Sequence, residues 1–432
     1  MKAKEVIVLI LIIGAGIFFY YAQTGKLDLN WEIDGHFLFR YKEFTFEETE
    51  QIEGPLPSLI KINNAHGQVE VQSDQEEKIT ISFQKIIWRK NEEQAEQVSK
   101  RLKMKIDRNK NQLSLSTNRD EFRRKNFKTN FLLTVPAKTK IEVSNSYGLV
   151  RVSQVGETSI SNRHGQVIAS DIAGNLTISN SYQKVEVAKI EADCQVESKH
   201  APLFLEGIKG KTEIKDRYGQ IKVEDAQGPV KITGSHSQVS AQNLATDLTI
   251  ETSYKDIILL KVGPVKITNK HAQIIIDGAQ GPLEINHSYG QIKLNNLQGN
   301  IIIEGKNMGV KARSIEAQKI YISSSYKDIE LAEFKGETSI YLAHGAVSLK
   351  PAPLTGPIKV EGRYTDIKLF WPFKEKYPFE AQAKSGEIRW NLPAKIFKEE
   401  KNSLTIAKAF VQEKEKPSIF LATSYGTISV EE

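Results

Sequence analysis

The chain reads as an all-β solenoid of ~18-residue coils, with a strand–helix cap at its N-terminal end and an irregular cap at its C-terminal end. Three observations lead there. An aromatic ring recurs at one phase through Tyr147, His164, Tyr182, His200, Tyr218, His236, Tyr254, His271, Tyr289, Tyr326, His344 and Tyr364. Met308 holds the same phase, and the gaps run from 17 to 20 residues. Glycine recurs at a second phase, through Gly156, Gly174, Gly210, Gly228, Gly263, Gly281, Gly299, Gly336 and Gly356. Between the two, apolar residues alternate with polar ones, as around Val230 and Ile232 or Val239 and Ala241. That is the period-2 pattern of a strand buried on one face.

Each coil is therefore two short strands about a polar turn, such as Asn145-Ser146-Tyr147-Gly148 or Asn162-Arg163-His164-Gly165. Asn, Ser and Gly suit such turns because they tolerate left-handed backbone or bond to their own main chain. One repeat supplies about six inward side chains, too few for a core, so coils must stack ~4.8 Å apart. About thirteen coils at that spacing make a rod roughly 60 Å long. Stacking sets like over like, which places the rings in a column along one corner. The glycine phase favours one coil per repeat; a ~36-residue coil with Tyr and His in separate columns is the alternative. Helical periodicity is absent from 141 to 371, which excludes an α-solenoid.

Composition agrees with a folded body: of 432 residues 26% are charged and 40% apolar. The single cysteine, Cys194, cannot form an intramolecular disulfide and reads as core filler. A formal charge of +6 is too mild and too dispersed for nucleic-acid binding. It supports no more than a gentle attraction to anionic polymers or lipid headgroups.

In chain order, residues 1–22 read as a transmembrane signal anchor. Lys2 and Lys4 precede an apolar run from Val6 to Ala22 that ends in Phe18, Phe19, Tyr20 and Tyr21. As a helix it spans about 25 Å, with aromatics where an interface belt lies. The basic residues before it put the N-terminus in the cytoplasm and everything from Gln23 outside. Residues 23–57 read as a stalk, ending in Gly54-Pro55-Leu56-Pro57. Residues 58–140 hold a first coil at Leu59–Ser73, a strand at Lys78–Trp88 and a helix from the Asn91-Glu92-Glu93-Gln94 capping box to about Lys105. Further strands follow around Leu113 and at Phe131–Val135. Regular repeats fill 141–371. Residues 372–432 hold degenerate coils, at Ser385-Gly386 and Ser424-Tyr425-Gly426, with an aromatic and proline cluster that reads as a cap.

The turn at Asn64-Ala65-His66-Gly67, the strand–helix segment with Glu92-Glu93-Gln94-Ala95-Glu96, the strand ending Thr134-Val135-Pro136-Ala137 and the serial Asn-Ser turns together resemble the bacterial "putative adhesin" family of β-helix domains. The resemblance covers roughly residues 55 to 432, and its most specific element is the Thr-Val-Pro segment before the first Asn-Ser turn. It implies a right-handed β-helix, export into a bacterial envelope and no established catalysis. This chain departs from the family in placing Tyr and His where Gly or Asn with Asp is common.

The imidazoles of His66, His164, His200, His236, His271 and His344 occupy equivalent turns. With one coil per repeat they lie about 9.6 Å apart, beyond the ~4.2 Å that separates two ligands of one zinc ion. No metal or cofactor is expected. The rings read instead as a structural ladder in which Tyr hydroxyls and imidazoles exchange hydrogen bonds, with buried neutral imidazoles that acid would charge. Asp256, Asp328 and Asp366 follow Tyr at one offset, but their spacing of two or more coils does not match a retaining glycosidase pair. The loop from Arg119 to Lys128, with Arg123, Arg124, Lys125 and Lys128, is the contact candidate for an anionic surface. The expectation is a non-enzymatic, single-pass protein of the bacterial cytoplasmic membrane. The bulk of the chain would lie outside the cytoplasm as an adhesin-like binding or structural element of the envelope. Its partners would be the membrane, through the N-terminal helix, and envelope polysaccharide or proteins, with no nucleic acid. The alternative is a polysaccharide-active β-helix enzyme.

Overall fold

The computed structural model describes residues 41–371 and 375–432; the apolar run at 6–22 and the first part of the stalk lie outside these. Strand accounts for 66% and helix for 3%, arranged as a parallel β-solenoid of about 13 turns. Among the described residues no helix is long and apolar enough to cross a membrane.

The chain begins with β1 (Lys42–Ile52), β2 (Leu59–Asn63), β3 (Val69–Asp74) and β4 (Ile79–Arg89), followed by helix α1 (Glu92–Arg101). Then come β5 (Met104–Arg108), β6 (Gln112–Thr117), β7 (Phe127–Pro136), β8 (Lys140–Asn145) and β9 (Val150–Ser153), with β10 (Thr158–Asn162) and β11 (Val167–Ile172) forming the next coil. Each regular coil sends one strand to each of two facing sheets. On one sheet β10 lies between β8 and Leu176–Asn180; on the other β11 lies between β9 and Val185–Ile190. Residue is set over residue: Ile160 pairs with Ile178, Ile178 with Val196, Val196 with Ile214 and Ile214 with Ile232. Each step is one repeat, so the coil is one repeat long and the longer two-repeat coil is ruled out. Tyr and His share one column.

These inward columns form one continuous core from Ile60 to Val430. Cys194 lies in it, 1% exposed, and burial pushes its thiol pKa up to about 12, which suits a filler and not a nucleophile. The glycine phase has a steric cause. A β-carbon on Gly228 would overlap the carbonyl of Gly210 one coil below.

A further corner is absent from the alternation pattern. Asp171, Lys189, Gly207, Asp225, Asn243 and Lys261 have φ between 51° and 68°. Each skips one ladder position, as between Ser170↔Ala188 and Ile172↔Ile190. The left-handed residue turns the strand so that Ile172, Ile190 and Ile208 re-enter the core one residue out of phase.

Both sheets continue past the first coil. On one side β6 pairs parallel with β2 and antiparallel with β5; on the other β7 pairs parallel with β3 and antiparallel with β4. β1 completes the second side antiparallel to β4. Residues 42–52, expected in the stalk, thus form an edge strand, because Phe44 and Phe46 have a second small core to join. That core contains Ile87, Ala95, Leu102, Phe122 and Phe127. Asn91 caps α1 by accepting from the Gln94 N–H at 3.1 Å. The helix ends at Arg101, earlier than expected, because Met104–Arg108 is recruited into a hairpin with β6. Lys85 is wholly buried beneath α1, bonded to Glu48 and to the Ser99 carbonyl at 3.1 Å.

At the far end the chain order is inverted. Ile419–Ser424 and Thr427–Glu431 stack directly on Ile358–Phe370, and the earlier segments Phe379–Lys384 and Glu387–Trp390 stack outside them. The last residues are therefore inserted beneath a coil made before them. Trp371 packs against Tyr377, Phe379, Trp390 and Phe410, and Trp390 in turn against Phe379 and Phe410, with ring centroids 5.2–6.4 Å apart. They close the end of the core.

Candidate functional site

Rings project from the turn corner in a single file. Tyr147, His164, Tyr182, His200, Tyr218, His236, Tyr254, His271 and Tyr289 stack face to face, with centroids 4.6–5.8 Å apart and planes within 1–24°. His66 begins the column edge-on to Tyr147, at 5.5 Å. Met308 is fully buried and interrupts it. Beyond the gap Tyr326, His344, Tyr364 and Tyr425 stack again at 4.8–5.1 Å. Tyr425 belongs to the column although most of the C-terminal cap intervenes in sequence; its Ser-Tyr-Gly turn was the available signal.

Two expectations about this column need correction. The rings are not buried: the tyrosines are 44–56% exposed, and His200 and His271 are exposed as well. Nor do hydroxyls and imidazoles exchange hydrogen bonds among the described residues. Stacked faces set the polar atoms side by side at the ring edges, where neither can donate along the stack; the Nδ1 atoms of His66 and His236 are buried without a partner. The geometry follows from the backbone. His200, Tyr218, His236, Tyr254, His271 and Tyr289 all have φ of 59–68°. A left-handed residue with a β-carbon costs about 1–2 kcal/mol. Each of these rings except Tyr289 contacts two neighbours, and an aromatic pair contributes about 0.5–1.5 kcal/mol. The two terms nearly offset, so the left-handed turns from His200 to Tyr289 cost little.

Beneath the rings runs a buried polar column. Asn145, Asn162, Asn180, Ser198, Asp216, Thr252, Asn269 and His287 are all at most 8% exposed. The asparagines fasten the turns: Asn145 Nδ2 donates to the Gly67 and Tyr147 carbonyls at 3.2 and 3.3 Å, and Asn180 Nδ2 to that of Gln183 at 2.6 Å. Two members are ill matched to the site. Asp216 Oδ2 accepts from Ser237 Oγ at 2.7 Å and from the Gly219 N–H at 2.8 Å, while Oδ1 meets no hydrogen-bond geometry, although the Arg217 N–H and the Ser198 hydroxyl lie near the carboxylate. Burial pushes its carboxyl pKa up. His287 is completely buried and neither ring nitrogen meets hydrogen-bond geometry, although the Asn269 and Ala272 carbonyls lie nearby; burial lowers its pKa. It occupies the asparagine position one repeat above Asn269, an offset that could have revealed it in sequence.

The aspartates considered for catalysis have another role. Asp256, Asp328 and Asp366 each accept from a backbone N–H of the coil above, those of Gln273, Ala346 and Thr427, at 2.8–2.9 Å. They complete the ladder where the turn leaves a donor unpaired. Among the described residues no group of three or more His, Cys, Asp or Glu could hold a metal ion.

The basic loop is divided in use. Arg119 stacks on Phe127 at 4.7 Å and donates to its carbonyl at 3.0 Å. Lys125 pairs with Asp120 at 3.0 Å, and Lys128 lies over the Trp88 ring at 5.4 Å. Arg123 and Arg124 are exposed and make no ion pair among the described residues. Arg119 and Lys128 also act on His66: burial first, then these two charges, lower its pKa to about 4.

A capped parallel β-solenoid with an outward ring column is the class of protein defined here. Residues 247–431 match the model of the Toastrack DUF4097 family, a domain of unknown function. The match is consistent with the adhesin-like β-helix resemblance of the turns, and the same coils continue unbroken N-terminal to it. No curated protein matches the chain. Among solved structures, the crystal structure of a putative cell adhesion protein from Clostridium sporogenes ATCC 15579 is 11% identical. It covers 90% of this chain and 99% of that chain, with a TM-score of 0.19, a likeness too low to carry an argument.

Proposed function

We propose that this β-solenoid protein is a non-enzymatic binding module, tethered to the bacterial membrane outside the cytoplasm, whose working surface is the ring column. The observation that carries the reading is the column itself. A scaffold needs only a uniform polar surface, whereas this corner presents tyrosines about half exposed from Tyr147 to Tyr289. Because the ring faces cover one another, the column cannot sandwich a sugar or a base. It offers instead a comb of phenol hydroxyls and imidazole nitrogens, alternating every ~4.8 Å over roughly 38 Å. Such a comb suits a long polar polymer with repeating hydroxyl or carboxylate groups, as envelope polysaccharides have. The occupation of Asp256, Asp328 and Asp366 in backbone capping favours display over turnover.

The test is a glycan and envelope-polymer array probed with the full chain and with a Tyr182→Ser, Tyr218→Ser, Tyr254→Ser variant. Selective binding that falls at least tenfold in the variant, with circular dichroism unchanged, is the expected result. Equal binding by both chains, or none by either, would leave the column as structure only.

A further inference from the structure

Charge on the solenoid body is matched coil to coil, as in Lys140–Glu157 at 2.9 Å, Lys266–Glu284 at 2.8 Å and Lys335–Glu316 at 3.0 Å. One place on the N-terminal cap breaks this pattern. A cavity of about 450 Å³ lies between α1, the end of β4 and the basic loop; Arg89, Lys90, Arg101 and Arg124 line it, together with Tyr41, Gln94 and Gln97, and among the described residues no acidic side chain does. None of the four cations makes an ion pair among the described residues. Glu121, which feels the Arg101 charge, is not part of the lining and is held by Lys105 at 3.1 Å and Asn118 at 2.9 Å.

Two of the guanidiniums are held in place. Arg89 Nη1 donates to the Trp88 and Asn126 carbonyls, at 2.6 and 3.2 Å, which orients the group and leaves its other N–H edges free for a ligand. Arg101 is held over the Phe122 ring at 5.3 Å. Lys90 and Arg124 are on the rim. Burial lowers the Arg89 pKa; the Tyr41 phenol, also in the lining, works against this, and the Arg124 charge adds to it. Oriented guanidinium forks beside two further cations and carboxamide donors suit an oxyanion and not a neutral sugar, and four gathered positive charges suit a phosphate, with its several oxygens, better than a single carboxylate.

We infer that this cavity is a binding site for a phosphate mono- or diester, presented either by a lipid headgroup or by a soluble phosphate ester. The inference does not depend on the ring column, and its residues are distinct from it. Arg123 is the internal control, since it is next to Arg124 in sequence, exposed and outside the cavity lining.

The experiment titrates the purified full chain in neutral detergent by calorimetry. The probes are glycerol 3-phosphate, short-chain phosphatidylglycerol and short-chain phosphatidylcholine. Saturable binding is expected, weakened at least tenfold in Lys90→Ala/Arg124→Ala and changed less than twofold in Arg123→Ala. Tighter binding of phosphatidylglycerol than of glycerol 3-phosphate would assign the source as lipid; equal binding would assign a soluble ester. No saturable binding to any probe, or equal losses in the two variants, would overturn the site. An Arg101→Gln variant, which removes charge but keeps most of the packing on Phe122, should weaken binding with the melting temperature within a few degrees of the parent.

Discussion

Tyr218 shows how close the competing terms are at single positions. Its φ of 68° is unfavourable for any β-carbon, and its ring lies 5.0 Å from His200 and 4.9 Å from His236. Tyr218→Ala loses both ring contacts and keeps the strain, so a loss of about 1–3 kcal/mol is expected. Tyr218→Gly loses the contacts but relieves the strain, and should be less destabilised than Ala by about 1 kcal/mol. Urea unfolding of the pair decides it; Gly no better than Ala would mean that the turn strain is not felt. Asp216→Asn places in the polar column the residue that Asn145, Asn162, Asn180 and Asn269 supply in other coils. Because the folded-state pKa of Asp216 is raised, its favourable contribution belongs to low pH and is lost as pH rises through that value. The amide should therefore stabilise the protein by about 1 kcal/mol at pH 7, with the gain shrinking in acid. His66 works in the opposite direction. Its folded pKa of about 4 is below the unfolded value of 6.5, so its contribution is present above pH 6.5 and is lost as pH falls toward 4. Melting temperature should drop across that window, and His66→Gln should flatten the drop. A profile as steep as the parent's would assign the acid sensitivity to other groups.

At the scale of elements, the N-terminal cap is a separate packing unit joined to the solenoid through β4 and β7. Leu102 is fully buried in the small core with Ala95, Phe122 and Phe127. Leu102→Ala should cost about 2–5 kcal/mol locally. Amide exchange should accelerate in Ile79–Arg89 and Glu92–Arg101 while Thr158–Asn162 and its stacked neighbours keep their protection. Uniform acceleration through the rod would show that cap and coils unfold as one. The capping box and the burial of Ala95 and Leu102 were readable because both depend on residues within a few positions of each other. The hairpin that shortens α1 was not, since β5 needs β6 as a partner and the helical pattern through Lys105 contains no stop signal. The edge strand at Lys42–Ile52 was hidden for a similar reason: Phe44 and Phe46 have meaning only once α1 and β4 supply a core for them.

Over the whole molecule, each coil contacts only its neighbours, so coils should be removable in register. Deleting residues 164–199 takes out two repeats and brings Tyr147 next to His200, which preserves the alternation. Small-angle scattering should report a folded rod shorter by roughly 10 Å. A collapsed or aggregated product would show that the coils are not interchangeable. The period of the repeat, the alternation of strand residues and the glycine phase are properties of the chain alone. They were enough to determine a stacked β-solenoid with its rings in register, because a repeat that cannot bury its own apolar residues has to stack on its copies; that Tyr and His share one column was decided by the pairing of consecutive repeats. Tertiary structure alone decided which groups face water and which face one another. The exposure of the rings, the left-handed corner that returns Ile172 to the core, the insertion of the last coil beneath earlier segments and the gathering of Arg89, Arg101 and Arg124 around one cavity all join residues distant in sequence or depend on a backbone turn that many side chains can occupy. Periodicity records which residue types recur along the chain; it does not record which way the backbone turns them or which distant segments meet.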